Sequence, residues 1–167
     1  MARIVIFGGT GYSGGNIASE AVSRGHEVTS FTRNAPAEPV EGVDYRTGSL
    51  ADPAVVDAAA QDADHLVVAV KAQDVEGEPL ASRVPALIEA ARKYDARLSF
   101  VGGAGSSLVA EGGPRLVDGP DFHPDWKPEA LAHADVLEAM RQAPEDLDWF
   151  YVSPAALYGS FAPGETT

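Results

Sequence analysis

Apolar residues in this chain fall in short, dense blocks, separated by longer stretches in which they recur every three or four positions. The blocks 3–7 (RIVIF), 27–32 (EVTSFT), 43–47 (VDYRT), 65–70 (HLVVAV), 97–101 (RLSFV) and 148–153 (DWFYVS) read as strands. Between them, 16–24 reads as a helix, with Ile17, Ala18, Ala21 and Val22 on one side and Gly25 as its stop. Asp52-Pro53 offers a cap followed by a proline at the first helical position, leading into a second helix. Residues 82–94 and 128–142 supply two more, each with a proline that a first helical turn tolerates, and Ser82 is a candidate cap. This alternation predicts an α/β fold, a doubly wound parallel sheet with helices on both faces, in a single domain over 1–167. Ligands of such sheets bind just past the carboxyl ends of the strands, near the switch in strand order. The stretches to watch are 8–15, 33–34, 48–52, 71–74, 102–107 and 153–159.

Composition narrows the function classes. Apolar residues at 45% and charged residues at 22% of the 167 positions are those of an ordered globular chain. There is no cysteine, which excludes disulfides, a thiolate nucleophile and a cysteine-ligated metal, and which suits a reducing compartment, so the expected location is cytoplasmic. The His, Asp and Glu residues show no metal-binding spacing. No apolar run approaches the roughly 18 residues of a membrane span. The first apolar run breaks into Gly-Gly-Thr-Gly with no cleavage-type segment, which favours a buried strand over a signal peptide. A formal net charge of −13 argues against nucleic acid and anionic membranes as partners. The expected partner is a small molecule, and nothing in the pattern sets an oligomeric state.

The most informative stretch is FGGTGYSGG at 7–15. It can be spaced as G-x-G-x-x-G on Gly9, Gly11 and Gly14, or as G-x-x-G-x-x-G on Gly8, Gly11 and Gly14. Phe7 is the last apolar residue of the strand, so Gly8 begins the turn and the second spacing fits better. Gly9 and Gly15 are then expected to assist close backbone approach. Such a loop, placed between a strand and a helix, turns tightly, admits a pyrophosphate and aims helix N–H groups at it. The context points to dinucleotide binding.

This loop resembles that of extended and atypical short-chain dehydrogenase/reductase relatives, and within them it is most similar to the NmrA-like and biliverdin/flavin-reductase-like group. VGGAGSS at 101–107 and DLDWFYVSPAALYG at 146–159 extend the likeness over the whole chain. The resemblance implies a Rossmann-like NAD(P)H-binding domain with the cofactor held by Gly8, Thr10, Gly11, Tyr12, Ser13 and Gly14, and by Pro154 after the sixth strand. Pro154 and Tyr158 would line the substrate cleft. The group continues with a further strand and helix, whereas this sequence stops at APGETT, so the fold is expected to lack them.

The end of the second strand bears on the choice of cofactor. An NAD-specific fold places an acid there for the ribose hydroxyls. This chain reads Phe31-Thr32-Arg33-Asn34, with no acid, and Arg33 offers a planar fork of donors for a 2′-phosphate. NADP(H) is therefore favoured over NAD(H). An exposed arginine at a strand end, with use of both cofactors, is the competing reading. Relatives often carry Gly-Asp where this chain has Gly48-Ser49, the aspartate bonding the adenine amine, so the resemblance gives Ser49 a weaker form of that contact. Asp52 reads as a helix cap rather than a ligand. Lys71 either reaches a cofactor phosphate or ribose, or is a solvated lysine.

The reaction is harder to read. Standard members of the wider family use Tyr-x-x-x-Lys, in which the lysine and ribose lower the tyrosine pKa. Four residues before Lys71, Lys93 and Lys127 stand Val67, Glu89 and His123, so the dyad is absent. Two candidates remain. Ser106, with Ser107 beside it, lies where the family's active-site Ser/Thr tends to fall, and two small turn residues are the competing reading. His133 lies where some extended relatives align the dyad lysine, although Val136, Leu137 and Met140 on its side also suit a histidine at the core edge. His123 and Trp126, in a Pro- and Asp-rich loop, offer stacking for a planar acceptor or simply anchor the loop. Three functions fit, in descending order: an NADPH-dependent reductase of a flavin, quinone or similar acceptor; a non-catalytic NmrA-like NADP(H) sensor acting through a protein partner; and a small-metabolite enzyme using Ser106 or His133.

Overall fold

A computed structural model describes residues 1–159. Six parallel strands form one sheet: β1 (Arg3–Phe7), β2 (Glu27–Thr32), β3 (Val43–Thr47), β4 (His65–Val68), β5 (Arg97–Val101) and β6 (Trp149–Val152). Their order is β3-β2-β1-β4-β5-β6, and the register sets Phe7 beside Phe31 on one side and Val68 on the other. The chain starts in the centre, builds outward through β2 and β3, and crosses back to β4. The switch in strand order therefore lies between β1 and β4, where carboxyl ends leave a crevice. Four helices make the crossovers: α1 (Tyr12–Ser23), α2 (Pro53–Asp62), α3 (Val84–Lys93) and α4 (Lys127–Arg141).

Strand alternation distributes the core over both faces. Val5, Phe7, Leu66, Val68, Leu98 and Phe100 face α2, α3 and α4 and build the larger cluster with Leu87, Val136 and Met140. Ile6, Val28 and Val67 face α1 and meet Ala18 and Ala21. Each large apolar side chain fully buried in this way stabilises the fold by about 1.5–3 kcal/mol before chain entropy is counted. Phe150 and Val152, on the α1 face at the β6 edge, remain 39% and 44% exposed. No helix of the described residues is long and apolar enough to cross a membrane.

Several boundaries differ from the sequence reading. The first helix starts at Tyr12, four residues earlier than expected, because Gly11 serves as its N-cap and the glycines after it are helical. β4 ends at Val68 rather than at 70. Ser82 does not cap α3: it sits in a 3₁₀ turn, Leu80–Arg83, and its hydroxyl donates to the Pro79 carbonyl at 2.8 Å. Asp52 does cap α2, accepting the Ala54 N–H at 2.9 Å. The expectation about the chain's tail falls on 160–167, outside the described residues.

Candidate functional site

Gly8 leaves β1 with a φ of +93°, a conformation side chains avoid, and a Cβ there would lie 2.3 Å from the Ala69 carbonyl oxygen. Gly14 is equally constrained: its Cβ would come 2.2 Å from the Gly8 carbonyl oxygen, so α1 can approach the turn only without a side chain. Gly9 is needed too, since its Cβ would meet Ser30 Oγ at 2.3 Å. Gly15 is not: its Cβ would stand 3.4 Å from the nearest atom, an ordinary contact, which corrects its expected role. No side chain caps α1, so its first-turn N–H groups are presented to an anion together with the positive end of the helix.

Beside this turn, at the switch point, lies an open cleft of about 350 Å³. Gly8, Thr10 and Gly11 line one end, Arg33 and Ser49 another, and Lys71 a third. The structure thus gathers residues from four strand ends into one crevice. Arg33 and Lys71 are exposed and, among the described residues, take no ion-pair partner. Ser49 is engaged: its hydroxyl donates to Glu76 Oε1 at 2.5 Å and accepts the Ala51 N–H at 3.0 Å. Tyr12, at the helix start, meets Tyr158 edge-on at 5.5 Å between ring centroids, which brings the segment after β6 to the glycine turn. Ser13 and Pro154 are half-buried and line no part of the cleft.

A larger cleft, about 620 Å³, opens at the opposite end of the sheet, where the strands begin. Most of its charged groups are paired, as Arg3–Asp64, Arg92–Asp146 and Arg97–Asp148, each at 2.7 Å. Strand amino ends are also the wrong end for a ligand in this architecture.

Past β5 the remaining candidates converge. The Ser106 hydroxyl is buried and has no hydrogen-bond partner. His133 is 9% exposed, its Nδ1 is buried and unpartnered, and its ring lies 3.8 Å from where a Gly103 Cβ would be. Its Nε2 is 3.2 Å from Glu129 Oε1, one helical turn earlier. Glu129 also accepts the N–H groups of Ala72 at 2.6 Å and Gln73 at 3.0 Å, pinning α4 to the loop after β4. Burial alone raises the Glu129 carboxyl pKa, but the hydrogen bond with His133 and the two backbone N–H groups outweigh it and leave it below its ordinary value. His123 and Trp126 stack on each other at 4.9 Å in an exposed turn.

Tyr151 holds this corner together. It accepts the Gly103 N–H at 3.3 Å and donates to the His133 carbonyl at 2.9 Å, and its ring occupies the space a Gly102 Cβ would need. Burial raises its phenol pKa above the ordinary value; the Gly103 N–H and the nearby Ser106 hydroxyl, which falls short of hydrogen-bond geometry, offset part of the rise. Glu129 and Tyr151 were both missed from sequence. The signal for Glu129 was its four-residue spacing to His133, Glu-x-x-x-His in place of Tyr-x-x-x-Lys. The described residues contain no cluster of three or more metal-ligating side chains.

A six-stranded parallel sheet with a glycine turn, an uncapped helix start and a cleft at the switch point defines a Rossmann-like dinucleotide-binding protein. Residues 8–166 match the NAD(P)H-binding family, and the chain belongs to that family. It is 32% identical over 161 residues to the uncharacterized protein YwnB of Bacillus subtilis, covering 93% of this chain and 73% of the relative. Among solved structures it is similar to a Burkholderia pseudomallei protein provisionally named as exported (38% identity, TM-score 0.78). It is also similar to a Streptococcus pneumoniae protein provisionally named an NADH-flavin reductase (30%, TM-score 0.81). Both alignments cover 93% of this chain and 73% of the other. A Bacteroides thetaiotaomicron protein provisionally named an epimerase aligns at 26% identity and TM-score 0.79, over 93% of this chain and 71% of its own. The chain is thus an NAD(P)H-binding protein and an atypical relative of the short-chain dehydrogenase/reductases.

Proposed function

We propose that this protein is an NADPH-dependent reductase of a flavin, quinone or similar small planar acceptor. The observation that carries the reading is the cleft that runs from the glycine turn to Arg33 with no carboxylate at the end of β2. The bare N–H groups at the start of α1 suit a pyrophosphate, and the Arg33 guanidinium suits a 2′-phosphate. Thr10 and Lys71 line the same crevice. The chain acts as one domain over 1–167, and the absence of cysteine suits the reducing cytoplasm.

Bound NADPH supplies two electrons as a hydride, and a flavin or quinone that accepts it can take the balancing proton from water. No tyrosine acid is then required, which agrees with a helix that carries Glu129 and His133 at the spacing of the dyad. The chain's own contribution is positioning: nicotinamide and acceptor must be held in contact near the ends of β5 and β6. The buried Ser106 hydroxyl and the His133 Nδ1 are the polar atoms in that corner without a partner.

A panel of flavins and quinones with NADPH tests the reading. Steady oxidation of NADPH with at least one of them is expected. Tight cofactor binding with no turnover across the panel would replace it by the second reading, a NADP(H) sensor of NmrA-like type acting through a protein partner. The mutual engagement of Glu129 and His133, which leaves neither as an obvious acid, is what favours that alternative.

A further inference from the structure

The glycine turn and Arg33 explain one half of the cleft. The other half has a chemistry of its own. Beyond β4 the chain makes a tight reversal at Val75-Glu76-Gly77-Glu78, closed by the Val75 N–H donating to the Glu78 carbonyl at 2.6 Å. Asp74 Oδ1 braces it by accepting the Gly77 N–H at 2.7 Å. Its two central residues, Glu76 and Gly77, have φ of +54° and +88°, the signs a type I′ turn requires at both positions. Glycine or asparagine is the favoured residue at the first of these, and a glutamate there is strained. The strain sets the Glu76 carboxylate on the wall of the cleft, where it bridges to Ser49 across from β3.

In a dinucleotide fold the pyrophosphate lies on the glycine turn and the adenosine ribose at the end of β2. The base must then extend past the ribose, toward the ends of β3 and β4. Leu50, Val70 and Val75 supply apolar walls there, with Leu50 buried and the two valines half-buried. A carboxylate at the edge of a flat apolar slot selects a planar ring that bears a donor on that edge, and it can accept more than one hydrogen bond. The Ser49 hydroxyl already uses one site on Glu76 Oε1, which fixes the carboxylate in place. The cleft therefore carries both signs, cationic at Arg33 and Lys71 and anionic at Asp74 and Glu76, with Glu76 set against Ser49.

We propose that Glu76 reads the 6-amino group of the cofactor's adenine, with Ser49 positioning it. The proposal rests on the dinucleotide reading above. A 6-oxo base in the same slot would set a carbonyl oxygen against the carboxylate, acceptor against acceptor, and is disfavoured.

The test compares binding of NADPH with that of its reduced hypoxanthine counterpart, which carries a 6-oxo group in place of the amine and an N–H at N1; nicotinamide fluorescence reports both. The wild-type protein is expected to bind NADPH ~10-fold more tightly. Glu76→Gln, whose amide offers both donor and acceptor, is expected to erase that preference. Glu78→Gln, altered where the side chain meets Ser82 and Arg83 instead of the cleft, is expected to keep it. Equal wild-type affinities, an unchanged preference in Glu76→Gln, or its loss in Glu78→Gln each overturn the assignment. Wild-type protein that binds neither cofactor overturns the dinucleotide reading itself, and this one with it.

Discussion

Glu129 Oε1 and His133 Nε2 lie 3.2 Å apart on successive turns of α4, and the same Glu129 oxygen accepts the Ala72 N–H from the loop after β4. In a standard short-chain dehydrogenase/reductase this four-residue spacing carries tyrosine and lysine. Here the pair ties a helix to a loop. Glu129→Gln is expected to destabilise the fold by ~1–2 kcal/mol at pH 7. Because folding lowers the Glu129 pKa, its stabilisation is full above the ordinary carboxyl value of 4.5 and is lost as pH falls through the folded value. Chemical denaturation of both proteins at pH 7 and pH 3 checks this. A stability gap that does not narrow in acid would show that ionisation of Glu129 is not its source.

Arg33→Ala is expected to weaken NADPH binding by roughly tenfold or more while leaving NADH nearly unchanged, since the proposed guanidinium–phosphate contact would form only with the former. Fluorescence titration with both cofactors measures it. A parallel loss for the two would make Arg33 a general anion contact.

Gly14→Ala places a methyl 2.2 Å from the Gly8 carbonyl oxygen, a backbone atom with no room to retreat. A stability loss of ~2–3 kcal/mol is expected, with loss of cofactor binding as the helix start shifts. Gly15→Ala, one position later, meets its nearest atom at 3.4 Å and is expected to cost less than ~1 kcal/mol. Thermal melts of the pair decide the point, and equal effects would contradict the geometry.

Tyr151→Phe keeps the ring over Gly102 but removes a hydroxyl that accepts from Gly103 and donates to the His133 carbonyl. Stability is expected to fall by ~1–2 kcal/mol. If the corner after β5 shapes the acceptor site, turnover should fall while NADPH affinity holds, a split that steady-state kinetics and direct titration resolve. An unchanged kcat would confine Tyr151 to a structural role.

The fold was largely legible along the chain because the strands read as dense apolar or β-branched blocks and because proline or glycine punctuates the helices. All six strands were found, with ends within two residues. The first helix was placed late because Gly14 and Gly15 read as loop, and only contact with the Gly8 carbonyl shows why glycine is wanted inside a helix there. Gly8, Gly11 and Arg33 were legible as residues of the cleft because their positions depend on neighbours in sequence: a strand end, a turn, a helix start.

What the sequence determined by itself is therefore local: strand–helix alternation, the glycine turn, the missing acid after β2 and the missing Tyr-x-x-x-Lys. What only the tertiary structure decided is which side chains face each other across loops. Glu76 meets Ser49 from 27 positions away, Glu129 reaches back to Ala72, and Tyr151 spans from β6 to both Gly103 and His133. The physical reason is that a parallel sheet delivers every strand end to the same edge, so loops far apart in sequence become one wall. No periodicity or spacing encodes such contacts, because their hydrogen bonds form only once the crossovers have closed.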